Sequence, residues 1–253
     1  MLRIVEHPGF LVSLVMLSLA AALWWMMWAH MGSGATMSDM DMMVNWSAKS
    51  LTGTCVMWLF MMLAMMLPAM VPMVATYAMI SSNEVQGLSL AVRIAVFIAG
   101  YFALWAAFSI GAAFAQTALA QTPWFVEGGT QALPLASAVL LMAAGAWQLT
   151  PIKDTCLQHC RSPMTFLMAH WKGGLKGAFP VGLHHGAYCV GCCGAIMGLM
   201  FVFGAMTVWW MAVLALYFVA EKILPRAEIW GRMTGIVLIV SGLYVLVNHF
   251  GVL

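Results

Sequence analysis

The chain has 253 residues, 64% of them hydrophobic and 7% charged, with a mean hydropathy of +0.96. A soluble domain carries about 25% charged residues, so this composition excludes one and predicts an integral membrane protein. Ten basic and eight acidic side chains leave a formal net charge of +2, with no basic excess of the kind that binds nucleic acid.

Apolar stretches fall at residues 10–29, 51–80, 91–115, 133–150, 178–203, 205–220 and 235–250. With ~20 residues needed to cross a hydrocarbon core, they predict an all-α, polytopic transmembrane helix bundle of about seven spans. The whole of 1–253 reads as one membrane domain, leaving no room for a soluble one. The first stretch exceeds the ~7–15-residue core of a signal peptide and is expected to be a retained span. Seven spans put Arg3, Arg93, Lys153, Arg161, Lys172, Lys176, Lys222, Arg226 and Arg232 on one side and Lys49 alone on the other. Basic residues accumulate on the cytoplasmic side, so the N-terminus is expected inside and the C-terminus outside. Gly204 is the one clear turn between the fifth and sixth spans, which predicts a tight hairpin there.

Segment 31–50, outside in this topology, continues a run from Met26 that includes His30, Met37, Asp39, Met40, Asp41, Met42 and Met43. Such a tract captures copper weakly, thioethers suiting Cu(I) and imidazole or carboxylate Cu(II). In the second span, Cys55, Met62, Met66 and Met73 fall on one helical face, with Met70 close by, while Met57, Met61 and Met65 form a second stripe. Thioether sulfur is a soft ligand, although methionine packs cores equally well. Pro68 and Pro72 remove two backbone donors from this helix.

Segment 151–177 is expected as a basic cytoplasmic loop carrying Cys156, His159 and Cys160. The two thiols stand at i and i+4, with His159 beside Cys156. The spacing can supply two ligands but lacks the paired knuckles of a structural zinc site. Next comes Gly182-Leu-His184-His185-Gly-Ala-Tyr188-Cys189-Val-Gly-Cys192-Cys193-Gly194, inside an apolar helix. At about 100° per residue, His185, Cys189, Cys192, Cys193 and Met200 fall within roughly 100° of arc, while His184 points away from them. Soft and borderline donors so gathered favour coordination over simple packing. Glu221 closes the sixth span beside Lys222, and the two are expected to pair at the interface.

Gln148-Leu-Thr-Pro-Ile-Lys153, Cys156-Leu-Gln-His-Cys160-Arg161-Ser-Pro163, the 182–193 run, Glu221-Lys222 and Ala64-Met65-Met66-Leu67-Pro68 together resemble a bacterial family. It is labelled "predicted metal-binding integral membrane protein", a domain of unknown function, and the resemblance covers most of residues 51–250. Gly194 stands where the family commonly has tryptophan, and Thr207 where asparagine is usual. The resemblance implies metal binding and names no reaction.

These observations predict a multi-pass protein of the bacterial inner membrane that handles Cu(I), with zinc as the alternative metal. The metal would be moved across the bilayer or delivered to a membrane cuproenzyme, with such an enzyme or a copper chaperone as partner. The candidate ligands are His184, His185, Cys189, Cys192, Cys193, Met200, Cys156, His159, Cys160, Met62 and Met66. No phosphate loop, His-Glu-x-x-His or nucleophile elbow is present, so an enzyme is the less favoured class. The alternatives are a membrane thiol or metal redox enzyme, in which adjacent Cys192 and Cys193 would form a labile disulfide, and an accessory subunit of a membrane metalloenzyme.

Overall fold

The computed structural model describes residues 8–31, 48–126, 131–204 and 207–251. Among these residues the chain is all helical, with one isolated bridge between Phe125 and Ala132. In chain order the helices are α1 (Pro8–Met31), α2 (Ala48–Ser81), α3 (Leu88–Leu119), α4 (Pro134–Gln148) and α5 (Pro151–Arg161). They continue as α6 (Pro163–His170), α7 (Gly174–Met197), α8 (Met200–Phe203), α9 (Val208–Ile223) and α10 (Ala227–His249). Most of the Met/His/Asp-rich segment expected at 31–50 lies outside the described residues.

Five helical stretches are long and apolar enough to cross a membrane: Pro8–Ala29, Leu51–Ser81, Leu88–Leu119, Gly174–Phe203 and Ala227–His249. Helices α4 and α5 qualify only together, as a sixth, and are bent by 65° at their junction. This differs from the seven spans expected, and length is the reason. Helix α4 has 15 residues and α9 has 16. At 1.5 Å per residue each reaches only about 22–24 Å, less than a ~30 Å hydrocarbon core.

Local chemistry sets the breaks. Thr150 caps α5 by accepting a hydrogen bond from the Lys153 backbone N–H (3.3 Å), and Pro151 occupies the first helical turn, where its missing donor costs nothing. Pro163 opens α6 in the same way. Segment 151–177, expected as a loop, is therefore largely helical, with α5 folded against α7 and α6 against α2. After α8, Gly204 adopts φ +93°, the left-handed conformation that glycine tolerates, and the chain reverses into α9.

Helices α1 and α2, and α2 and α3, run antiparallel, whereas α3 and α7 run parallel. The start of α1 meets the end of α2 where Gly9 packs on Met79, and the end of α1 meets mid-α2 where Trp24 bonds to Ala64. Trp58 near the start of α2 bonds Gln116 near the end of α3 (2.7 Å), while Tyr77 near the end of α2 stacks on Phe97 near the start of α3. The Trp24 bond answers a sequence feature. Pro68 has no N–H to give to the Ala64 carbonyl one turn earlier, and Trp24 Nε1 donates to that carbonyl at 3.1 Å.

The core lies between α2, α3, α7 and α9. Met61, Met62, Met65, Met66, Met70 and Met73 of α2 are all buried in it. Helices α3 and α7 meet almost backbone to backbone: a Cβ added to Gly182 would lie 2.0 Å from the Phe97 carbonyl oxygen. Small residues permit such contact where no solvent drives helices together. Replacing Gly182 with leucine is expected to push α3 from α7 and destabilise the fold by about 2 kcal/mol or more, read as a lower unfolding midpoint in detergent. An unchanged midpoint would show that the two helices are not in close contact.

Candidate metal centre

Two helices converge on one group of thiols. Cys160 from the last turn of α5 and Cys189 and Cys192 from α7 have sulfurs all within 4.8 Å of one another, and all three residues are buried. Cys189 and Cys192 share a face because they lie three residues apart on α7. Cys160 reaches them because the α4–α5 bend lays α5 along α7 and buries the Lys153, Leu157 and Cys160 face. Cys192 Sγ is 3.8 Å from Cys160 Sγ and 3.2 Å from Cys193 Sγ. The Cys192 thiol donates to the Cys189 carbonyl at 3.3 Å. Met66 Sδ stands 4.0 Å from Cys189 Sγ. With metal–thiolate bonds of about 2.3 Å, sulfurs sharing one ion lie roughly 3.7–4.0 Å apart, so these separations fit a single soft ion with little movement.

His185 is buried one turn before Cys189 on α7, and neither ring nitrogen has a hydrogen-bond partner. Its ring stacks on Tyr101, with centroids 5.3 Å apart, and packs on Phe166 at 5.5 Å. An imidazole buried without partners costs about 1–3 kcal/mol in lost solvation. Two orphaned nitrogens beside a thiol cluster suit a residue that exchanges that cost for a metal bond.

Two polar side chains that the sequence reading did not assign to the site touch Cys189. Tyr101 Oη of α3 is 3.0 Å from its sulfur, brought there by the close α3–α7 contact. Lys222 Nζ of α9 donates to the same sulfur at 3.2 Å. Lys222 had been expected to pair with Glu221, and the structure corrects this. Adjacent residues on a helix point about 100° apart, so Glu221 turns instead to Lys153 and forms a buried ion pair. Tyr217 Oη donates to Glu221 at 3.0 Å and accepts from Gln148 Nε2 at 2.7 Å. Among the described residues Lys222 forms no ion pair with a carboxylate, so its charge is directed at sulfur. The adjacency of Glu221 and Lys222 carried this signal in the sequence. Tyr101 carried none.

The remaining candidates disperse. Cys156 does not join the three-thiol group, although it is one turn from Cys160; it is half-buried, with its sulfur against Gly191. Arg161, next to Cys160 in the chain, donates to the carbonyls of Lys222 and Leu224. His159 stacks on Tyr188 (centroids 4.2 Å apart), and exposed His184 lies beside His170. Met62 is buried in the α2 core. Met200 is buried in α8, beyond the end of α7 at Met197, so a helical angle extrapolated from His185 does not place it.

Fold and site define an all-helical protein with a buried thiol and thioether centre of soft-metal character. The chain belongs to the family whose model is described as the copper chaperone PpoB2, which matches it over residues 55–245. That span contains every residue of the centre. No curated protein and no solved structure matches the chain.

The Lys153–Glu221 pair is the most exacting element around the thiols. Lys153→Met, which leaves Glu221 buried without its counter-charge, is expected to destabilise the protein by about 3–5 kcal/mol. Adding Glu221→Leu is expected to recover much of that loss, measured by thermal unfolding of the purified variants. A double variant no more stable than the single one would argue against pairing.

Proposed function

We propose that the chain is a Cu(I) chaperone of the bacterial inner membrane, holding the ion on Cys160, Cys189 and Cys192 and delivering it to a membrane cuproenzyme. Family membership supports copper as cargo, and the convergence of three buried thiols is the observation that carries the site. Thiolate and thioether ligands favour Cu(I) over harder ions. Met66 is placed to act as a fourth sulfur, while Cys193 and His185 offer donors for exchange as the ion enters or leaves. Three thiolates around one monovalent cation leave two negative charges in a buried site, and Lys222 supplies a positive charge at 3.2 Å. No nucleotide motif is needed, because passage between soft donors proceeds by ligand exchange.

The antiparallel packing supports the expected orientation. Arg93, Lys153, Arg161, Lys222, Arg226 and Arg232 gather towards the bundle end that holds the start of α1. Under the positive-inside rule that end is cytoplasmic. The short helices α4 and α9 complete a seven-segment topology if the bilayer thins around them.

The deciding experiment is element analysis of protein purified with its native lipids after growth in copper. Wild type is expected to retain about one copper per chain, and the Cys160/Cys189/Cys192→Ser variant to lose it. Equal copper in both would end this reading. Tyr101→Phe and Lys222→Gln should fold, retain the thiols and weaken Cu(I) binding by about 10–100-fold, the usual effect of removing groups that orient or neutralise ligands. Competition against a Cu(I) chelator reads that shift. Unaltered affinity in both would leave the contacts to Cys189 without a role in metal binding.

A further inference from the structure

Apart from the thiols, three helices bring together three imidazoles. His159 comes from α5, His170 from the end of α6 and His184 from α7. Their ring centroids are 6.3 Å apart for His159 and His170 and 5.6 Å apart for His170 and His184. With metal–nitrogen bonds of about 2.0 Å, two imidazoles on one ion hold their centroids roughly 5–6 Å apart. The His170–His184 separation falls in that range and the His159–His170 separation lies just above it.

The hydrogen bonds point the same way. His159 Nδ1 lies 2.8 Å from the Thr155 carbonyl oxygen and His170 Nδ1 lies 3.0 Å from that of Phe166. A carbonyl only accepts, so in both rings Nδ1 carries the proton and Nε2 keeps its lone pair. Metal-ligating histidines are commonly oriented in this way. Tyr188 stacks on His159 with an interplanar angle of 4°, and Phe166 stacks on His170, fixing two of the rings. His184 is exposed and the other two are half-buried, so an ion can reach the cluster from outside the bundle.

We infer that His159, His170 and His184 form a second metal site, an accessible three-imidazole station for a borderline transition-metal ion. Phe166 touches both His170 and His185, so one aromatic ring links this station to the thiol centre. The identity of the cargo as copper rests on the reading above, whereas the site itself rests on the three rings. Copper held by imidazole near the surface would pass to His185 and then to sulfur, from weaker to stronger ligands for Cu(I).

Cobalt(II) tests the site, because it does not oxidise thiols and its spectrum separates nitrogen from sulfur ligation. The Cys160/Cys189/Cys192→Ser protein is expected to bind cobalt(II) without a thiolate charge-transfer band. Adding His170→Ala and His184→Ala is expected to weaken that binding by more than about tenfold. The same two histidine changes in the wild-type background should leave the thiol-bound copper in place, which also reports that the fold is intact. No cobalt(II) binding by the serine variant, or binding insensitive to the histidine changes, overturns the inference. Equal copper in wild type and serine variant would sink the copper reading while leaving the cobalt result to stand.

Discussion

The Lys153 ammonium and the Glu221 carboxylate meet where neither reaches solvent, packed against the backbone of Gly231. Removing each ion from water costs several kcal/mol, repaid only when the geometry is well made and the remaining lone pairs are satisfied. Tyr217 and, through it, Gln148 provide that satisfaction. The pair joins α5 to α9 and seats both on α10. Two features of the thiol centre follow from this joint. Cys160 lies two turns along α5 from Lys153 and is thereby aimed at Cys192. Lys222, one residue beyond Glu221, is rotated onto Cys189. An ion pair without a ligand role thus positions one thiol and one cation of the site.

The second constraint is the near-contact of α3 and α7. Gly182 removes the side chain that would hold these helices apart, and the gain is polar as well as steric. Tyr101 comes close enough to Cys189 for its hydroxyl to meet the sulfur, and its ring covers one face of His185. Membrane helices gain little from excluding lipid, so their specificity resides in such close contacts. The thiol centre is therefore built from the same contact that holds the bundle.

How much of this was legible depended on range. The α7 donor face was readable because helical periodicity fixes which of His184, His185, Cys189, Cys192 and Cys193 share a face, and His184 does point away from the others. The α2 methionine stripes were visible for the same reason, yet among the described residues only Met66 brings its sulfur within 4.0 Å of a thiol. Position along the partner helix decides this, and one helix's period carries no such information. The α5 thiols misled because a shared face does not imply a shared partner: Cys160 meets Cys192, whereas Cys156 faces Gly191. The span count departs from the structure at α4 and α9, apolar in composition but only 15 and 16 residues long, with Pro151 following the first and Gly204 preceding the second.

The bond from Trp24 to the Ala64 carbonyl gives Pro68 a role beyond bending its helix. A proline ordinarily leaves a gap in the hydrogen-bond ladder, and here the gap is the point where α1, a largely exposed helix, is fastened. Any other residue at 68 would restore the N–H and set it in competition with Trp24 for that carbonyl, weakening the latch. The first helix is held by what the second one lacks.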